Sequence, residues 1–285
     1  MPQKSQAIYI SCKDHSVSGE QFDLIYNKES DILITTPQPE VGELGKYYLS
    51  EDYISHTDAK RNLFEKVYHL VKQNALKNKL RLINDFASEE KKLLDVGCGT
   101  GDFLVEAKKQ NWNVWGVEPD TGARSLASEK LGKQIFNVAS ENTLQSESFD
   151  VITLWHVLEH LPDLEEQLKL YNALLKPNGY LVVAVPNFKS YDAKYYKSFW
   201  AAYDVPRHLW HFSQNGVKRL LVKTNFSFEK TLPMFFDSFY VSLLSEKYKS
   251  GVMNVFNAFK VGLVSNIKAR RTGEYSSLIY IAKKK

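Results

Sequence analysis

The stretch that decides the fold lies at residues 92–102 and reads Lys92-Leu93-Leu94-Asp95-Val96-Gly97-Cys98-Gly99-Thr100-Gly101-Asp102. An apolar strand is followed by a glycine-rich turn and then by the first residues of a helix. A side chain at Gly97 or Gly99 would keep a bound nucleoside away from the backbone. Because a glycine turn between a strand and a helix is the context that confirms such a motif, the stretch predicts a nucleoside-binding α/β domain.

A second strand, predicted at residues 113–117, ends in Glu118. Its tip is expected beside the first strand, where a carboxylate can accept hydrogen bonds from both hydroxyls of a ribose. A surface glutamate at a strand end is the alternative for Glu118 taken alone. The glycine turn and the carboxylate together favour ribose binding.

Carboxylates near the turn bear on the choice of cofactor. Dinucleotide-binding proteins set a pyrophosphate against the N-terminus of the helix. Here Asp102 opens that helix, and Asp95 stands two residues before the first glycine. Both would repel a diphosphate but tolerate the cationic sulfonium and ammonium groups of S-adenosylmethionine (SAM). The sequence therefore favours SAM, and an enzyme that binds NAD or a nucleotide sugar stays open as the alternative.

Short apolar runs alternate with helical patterns around this turn, which predicts a parallel sheet built from βαβ units. Strands are predicted at 92–96, 113–117, 149–154, 180–185, 226–230 and 278–281, with a weak one at 134–136 and two short ones near the start of the chain at 7–10 and 31–35. Helices are predicted at 102–109, 122–130, 163–175 and 213–223, the last with Ser213 as its N-cap. Three regions follow: a strand-rich appendage at 1–40, a tyrosine-rich lid with a leading helix at 41–90, and a main domain at 91–285. The main domain carries insertions at 187–212 and 234–271.

The motifs between residues 92 and 187 resemble those of class I SAM-dependent methyltransferases in their order and spacing. They read LLDVGCGTGDFL, GVEPD, FDVITLWHVLEHLPD and LLKPNGYLVVAVPN, while DVPRHLWHFS and TNF further on resemble one bacterial branch of that superfamily. The resemblance implies a Rossmann-like, mostly parallel sheet of seven strands with the last strand antiparallel and helices on both faces. It also implies SAM as the methyl donor and S-adenosyl-L-homocysteine as the product.

The resemblance further implies which residues bind the cofactor. The methionine portion would be lined by Asp95, Gly97, Cys98 and Gly99. The ribose would be held by Glu118, and the adenine would lie near Pro119 and Ser140. The cofactor would be flanked by Trp155 and His156. Tyr53 lies in the tyrosine-rich segment and is predicted to close over SAM, because an aromatic face attracts a sulfonium as it attracts other cations. Ordinary packing of that segment is the alternative.

The residues between Asp204 and Phe212 form the densest polar and aromatic cluster after the fifth strand, and are expected to meet the methyl acceptor. Methyl transfer needs alignment, and it needs a base when the acceptor is a hydroxyl or an amine. His208 is the predicted base, oriented by Asp204 or His211. Anchoring of the loop is the alternative role.

No metal is predicted. Residues 156–160 read His-Val-Leu-Glu-His and match a zinc motif of metallopeptidases. That motif needs both histidines on one face of a helix. Here His156 lies at the end of a predicted strand and Pro162 comes two residues after His160, so a helix is not expected. The first 40 residues resemble the zinc-ribbon module of related methyltransferases. However, they keep only Cys12 of the four cysteines that such a module needs.

Composition limits the partners. The net charge of +4 is mild, so no nucleic-acid partner is expected, and the two cysteines imply no disulfide framework. A cytoplasmic protein with a small-molecule or lipid-like acceptor is expected. Apolar residues at helical spacing in 234–271, together with nearby Lys and Arg residues, indicate a lid or a peripheral membrane surface. Core packing is the alternative role for these residues. A SAM-binding protein without catalysis is an alternative function for the whole chain, and the oligomeric state stays open.

Overall fold

The computed structural model describes residues 7–40, 42–48, 63–138 and 143–285, and only the backbone of residues 63–71. The strands are β1 (Ile8–Lys13), β2 (Gln21–Asn27), β3 (Ile32–Thr36), β4 (Lys92–Val96), β5 (Asn113–Val117), β6 (Phe149–Trp155), β7 (Leu175–Pro186), β8 (Trp210–Phe212), β9 (Phe226–Pro233) and β10 (Ser277–Lys284). The helices are α1 (Leu63–Asn84), α2 (Asp102–Lys109), α3 (Thr121–Leu131), α4 (Leu164–Leu174), α5 (Tyr191–Tyr196), α6 (Gln214–Lys223), α7 (Asp237–Ser250) and α8 (Val255–Thr272). Within these ranges, no helix combines the length and the apolar character needed to cross a membrane.

The main sheet has the strand order β5-β4-β6-β7-β10-β9. β4 pairs in parallel with β5 and β6, β6 pairs in parallel with β7, and β10 runs antiparallel to both β7 and β9. The predicted mixed sheet with an antiparallel last strand is therefore confirmed.

The described residues give this sheet six strands, where the resemblance implied seven. The weak strand expected at residues 134–136 is reduced to one bridge between Phe136 and Val117. Phe136 makes two backbone hydrogen bonds beside β5, one to the Gly116 carbonyl and one from the Glu118 amide, each 2.9 Å long. The segment therefore follows the sheet edge for a single residue.

Helices cover both faces of the main sheet, because its central strands are apolar on both sides. In β6, Ile152 and Leu154 pack into one buried cluster with α4 and α6, whereas Val151 packs into another with α1, α2 and α3. Burial on both faces explains why β6 reads as a continuous apolar run instead of an alternating pattern.

Polar side chains set the start of two helices. The Ala123 amide lies 2.7 Å from the Asp120 carboxylate at the beginning of α3. The Gly216 amide lies 2.9 Å from Ser213 Oγ at the beginning of α6, which confirms the predicted capping role of Ser213. Since the first amides of a helix have no partner within the helix, such caps determine where it begins.

The N-terminal strands form a second, antiparallel sheet of order β1-β2-β3-β8. The sequence predicted β1 and β3 but not β2, and it predicted no strand in the insertion 187–212, where β8 lies. Cys12, Leu24 and Leu33 of this sheet pack against Trp200 and Tyr203 of the insertion. The appendage is therefore built into the same folded unit as the segment that follows β7.

Arg207 joins these parts through a buried ionic network. Its guanidinium donates hydrogen bonds to the carboxylate of Asp204 at 2.6–3.0 Å, to Asp14 Oδ1 at 3.0 Å and to the carbonyl of Tyr47 at 2.9 Å. Three segments distant in sequence thus depend on one cation. Removing it would leave the buried Asp14 without its counter-charge.

We expect Arg207→Met to lower the free energy of unfolding by about 3–5 kcal/mol, the usual cost of breaking a buried ion pair from one side. Urea denaturation followed by circular dichroism measures this loss. Arg81→Met, on the exposed face of α1, serves as the control and should change stability by no more than about 0.5 kcal/mol. Equal losses in the two variants would show that the buried network does not stabilise the fold.

Candidate cofactor and acceptor site

The turn after β4 is held in a conformation that favours glycine. The φ angles of Gly97, Gly99 and Gly101 are +67°, +54° and +79°. The amides of Gly97 and Cys98 both donate to the carbonyl of Val117, at 2.7 and 3.0 Å. The end of β5 therefore fixes the turn against the edge where the parallel strands finish.

The first two of these glycines, Gly97 and Gly99, differ in what a side chain would meet. A Cβ on Gly97 would stand 2.4 Å from Cγ2 of Val157, so the obstacle at this position is the loop after β6 and not only a ligand. A Cβ on Gly99 would meet no protein atom within 4 Å. The space beside Gly99 is therefore open, and the approach of a nucleoside to the backbone there stays a prediction.

Glu118 lies directly beside this turn. Its carboxylate accepts hydrogen bonds from the amides of Gly99 at 2.8 Å and of Asp120 at 2.9 Å. Burial raises the pKa of Glu118, although both amides act in the opposite direction. Arg124 donates to the carbonyls of Glu118 and Pro119 and so holds the end of β5 in place. Sequence reasoning did not single out Arg124.

Asp95 is buried at the end of β4. Thr153 Oγ1 donates to its carboxylate at 2.6 Å. Removal from water raises the pKa of Asp95 to about 7, even though Thr153 and Lys79 act to lower it. The group therefore changes charge near neutral pH, next to the glycine turn.

Lys79 of α1 reaches the same region, and sequence reasoning missed it. Its ammonium stands 4.3 Å from the ring centroid of Trp155. Burial lowers the pKa of Lys79, and the carboxylates of Asp95 and Asp237 oppose that effect. The available signal was its position three residues after Leu76 and four before Ile83, on the apolar face of the helix.

His156 follows β6 with a left-handed backbone, at φ +58°. Its Nε2 lies 3.1 Å from Asp237 Oδ2 and its Nδ1 lies 3.4 Å from Glu159 Oε1. Burial alone would lower the pKa of His156, but the two carboxylates outweigh it and raise the pKa to about 10. Asp237 opens α7, so the insertion 234–271 reaches the end of β6.

The metallopeptidase alternative for residues 156–160 is wrong. Those residues do not form one α-helical face, because only Leu158–His160 form a short 3-10 turn. His156 and His160 point to different partners: His160 Nδ1 lies 3.1 Å from the carbonyl of Arg207 and 3.0 Å from Tyr48 Oη.

His208 has a backbone partner that the sequence did not predict. Its Nδ1 lies 2.9 Å from the carbonyl of Ala202, which orients the ring. The Asp204 carboxylate is occupied by Arg207 and stays 3.9 Å from His208 Nε2, while His211 Nε2 lies 3.0 Å from Thr35 Oγ1. Ala202 is thus a further partner of the ring, and orientation of His208 by Asp204 or His211 stays a prediction. The role of His208 as a base stays a prediction.

Two predicted cofactor residues, Tyr53 and Ser140, lie outside the described residues. The others converge on the carboxyl ends of β4, β5 and β6: Asp95, Gly97, Cys98, Gly99, Glu118, Pro119, Trp155 and His156. Convergence at this edge is the arrangement in which open α/β sheets bind nucleotides.

The family model described as "Methyltransferase domain" matches residues 60–231. The chain therefore belongs to this family, and the predicted membership of the class I SAM-dependent methyltransferase superfamily is confirmed.

Curated relatives agree with this assignment over part of their length. Ubiquinone biosynthesis O-methyltransferase from Histophilus somni is 38% identical over 109 residues, covering 34% of this chain and 46% of that protein. An uncharacterized methyltransferase from Anoxybacillus flavithermus is 33% identical over 105 residues, covering 35% and 50%. The chain thus spans about half the length of the curated relatives it matches.

Solved structures share the fold. A SAM-dependent methyltransferase from Thermotoga maritima, titled a possible histamine N-methyltransferase, has a TM-score of 0.52 at 22% identity, covering 78% of this chain and 95% of that one. Geranyl diphosphate C-methyltransferase from Streptomyces coelicolor A3(2) has a TM-score of 0.55 at 14% identity, covering 80% and 88%. At such identities the likeness concerns the fold alone.

We expect Gly97→Ala and Gly99→Ala to fail in different ways. Both substitutions place alanine at a positive φ, at a cost of about 1–2 kcal/mol, but only Gly97→Ala adds the contact with Val157. Gly97→Ala should unfold at the lower urea concentration, whereas Gly99→Ala should fold and lose affinity for S-adenosylhomocysteine. Urea denaturation and calorimetry measure the two effects. Wild-type affinity in Gly99→Ala would contradict the assignment of the open space to a ligand.

Proposed function

We propose that this protein transfers the methyl group of SAM to a small-molecule acceptor. The observation that carries the proposal is the unit formed by the glycine turn and Glu118, in which Gly99 leaves open space and its amide binds the carboxylate. The membership of the methyltransferase family and the acidic lining at Asp95 support SAM over a diphosphate cofactor.

In this proposal the cofactor lies along the carboxyl ends of β4, β5 and β6. The turn residues Gly97, Cys98 and Gly99 contact its methionine portion, and Glu118 accepts the ribose hydroxyls in exchange for one or both backbone amides. Pro119 adjoins the adenine, and Trp155 and His156 flank the cofactor. When bound, SAM supplies an electrophilic methyl group, so the chief task of the protein is alignment of the acceptor.

Apolar side chains around the start of α7 support an apolar acceptor. Phe235, Phe236 and Tyr240 are each about half exposed and lie within three residues of Asp237 in the chain, and Asp237 contacts His156. Two similar proteins carry names that refer to apolar or aromatic small molecules, namely ubiquinone biosynthesis and geranyl diphosphate. An acceptor with an apolar body would pack on these rings.

Calorimetry with SAM, S-adenosylhomocysteine and NAD tests the cofactor, and binding of NAD alone would overturn the proposal. Cell extract incubated with the protein and methyl-labelled SAM tests the transfer. Mass spectrometry should find one class of small labelled product, and a Glu118→Ala variant should produce none. Cofactor binding without any labelled product would indicate a SAM-binding protein without catalysis.

The affinity for SAM should rise with pH and level off above about 7. The elevated pKa of Asp95 leaves its carboxyl neutral below that pH, and only the ionised form attracts the ammonium group of SAM. One linked proton gives a slope of at most about tenfold per pH unit. Calorimetry between pH 5 and 9 follows the curve.

Two variants identify the group that titrates. Thr153→Val removes a hydrogen bond that lowers the pKa of Asp95, so the midpoint should move to higher pH. Asp95→Asn should bind SAM weakly and without this pH dependence. A wild-type curve in Thr153→Val would assign the titration to another group.

We further propose that α8 rests on an anionic membrane surface. Large apolar side chains form one exposed row along it: Phe256, Phe259, Leu263 and Ile267, with Phe256 exposed to 91%. The same helix carries four basic residues, Lys260, Lys268, Arg270 and Arg271, and no acidic one. An apolar row with basic neighbours is the composition of interfacial helices, and each basic residue near an anionic surface adds about 1 kcal/mol.

The wild-type protein should sediment with phosphatidylglycerol-containing vesicles and not with pure phosphatidylcholine vesicles. Phe256→Ser combined with Ile267→Ser should weaken this binding about tenfold or more, because each buried apolar side chain contributes about 1.5–3 kcal/mol. Val222→Ser, at an exposed apolar position on α6, is the matched control. Equal binding of the double variant and of Val222→Ser to the vesicles would contradict the membrane proposal. It would also be contradicted if the wild type formed a dimer in the absence of lipid and the double variant were monomeric.

A further inference from the structure

Glu159, His160 and His208 bring three ligand atoms together near the site. One carboxylate oxygen and one ring nitrogen from each histidine lie within 4.8 Å of one another. The two histidine rings meet edge to face, with centroids 4.5 Å apart. Glu159 and His160 belong to the turn after β6, whereas His208 belongs to the segment between α5 and β8. The cluster therefore exists only in the folded chain.

The backbone already fixes both imidazoles. His208 Nδ1 lies 2.9 Å from the carbonyl of Ala202, and His160 Nδ1 lies 3.1 Å from the carbonyl of Arg207. An Nδ1–H that donates to a carbonyl leaves the lone pair on Nε2. Orientation of a histidine by a carbonyl in this way is the usual arrangement around metal-bound imidazoles.

The carboxylate of Glu159 supplies a second, independent observation. Its side chain is 1% exposed, and neither of its oxygens has a hydrogen-bond partner among the described residues. His156 Nδ1 stands 3.4 Å from Oε1, and Nε2 of the same ring lies 3.1 Å from Asp237 Oδ2, so one imidazole faces two carboxylates. A buried carboxylate without hydrogen bonds is costly unless a cation neutralises it.

We propose that Glu159, His160 and His208 bind one divalent transition-metal ion of the zinc type. Two imidazoles and one carboxylate suit zinc, whereas magnesium and calcium prefer an all-oxygen set. Three protein ligands leave a further position for water or for an oxygen of a substrate. The ion would also join the turn after β6 to the segment that carries Arg207.

This assignment departs from the sequence-based expectation of no metal. That expectation tested a helical pair of histidines and a four-cysteine module, and neither forms here. It did not combine Glu159 with His208, because α4, β7 and α5 lie between them in the chain. A metal ligand would use the same Nε2 lone pair that His208 would need as a base.

Metal binding is measured on the full-length protein without SAM, so its outcome is separate from that of the proposed function. After treatment with a chelator, the protein is titrated with zinc by calorimetry and its metal content is determined by mass spectrometry. We expect one zinc per chain and a higher melting temperature with zinc. Cobalt, used as a spectroscopic substitute, should give the absorption bands of a low-coordinate ion with nitrogen ligands.

Glu159→Gln and His208→Gln should each weaken zinc binding about 100-fold or more. His15→Gln is the matched control, because His15 stacks on Tyr248 outside the cluster and should not affect stoichiometry. Absence of stoichiometric zinc in the wild type, or unchanged binding in both cluster variants, overturns the proposal. If neither variant folds, X-ray absorption of the zinc-loaded wild type decides: two imidazole ligands support the site, and fewer than two refute it.

Discussion

The contacts between the glycine turn and the end of β5 are the constraint on which the site depends. The amides of Gly97 and Cys98 both donate to the carbonyl of Val117, the last residue of β5. The carboxylate of the next residue, Glu118, accepts a hydrogen bond from the amide of Gly99. The turn is thereby closed on the neighbouring strand and presents its backbone at the sheet edge. The rest of the candidate site is arranged around this closed loop.

Electrostatics at that edge follow from burial. Asp95 and Glu118 are removed from water, and burial raises the pKa of each. Lys79 and His156 bring positive charge to the same space, and Asp237 from the insertion pairs with His156. A cationic cofactor suits a site whose fixed carboxylates lack full compensation, because it supplies the missing counter-charge.

The insertion after β7 connects the N-terminal sheet to the turn after β6. Its strand β8 completes the N-terminal sheet, while Arg207 binds Asp14 of that sheet and the carbonyl of Tyr47. His208, the next residue, faces the turn after β6. The N-terminal sheet and the turn after β6 are therefore held together by a segment whose polar residues the sequence assigned mainly to catalysis.

The sequence by itself determined the parallel sheet, the glycine turn, the position of Glu118 at the end of a strand and the capping role of Ser213. Each of these depends on a local pattern of a few neighbouring residues. It did not reveal β2, the burial of Lys79, or the pairing of His156 with Asp237. Tertiary structure decided these, and it also brought the carbonyl of Ala202 to the ring of His208. The reason is physical: local propensity and periodicity act over one or two turns, whereas a side chain's partner, charge state and exposure depend on which distant segments the fold packs against it.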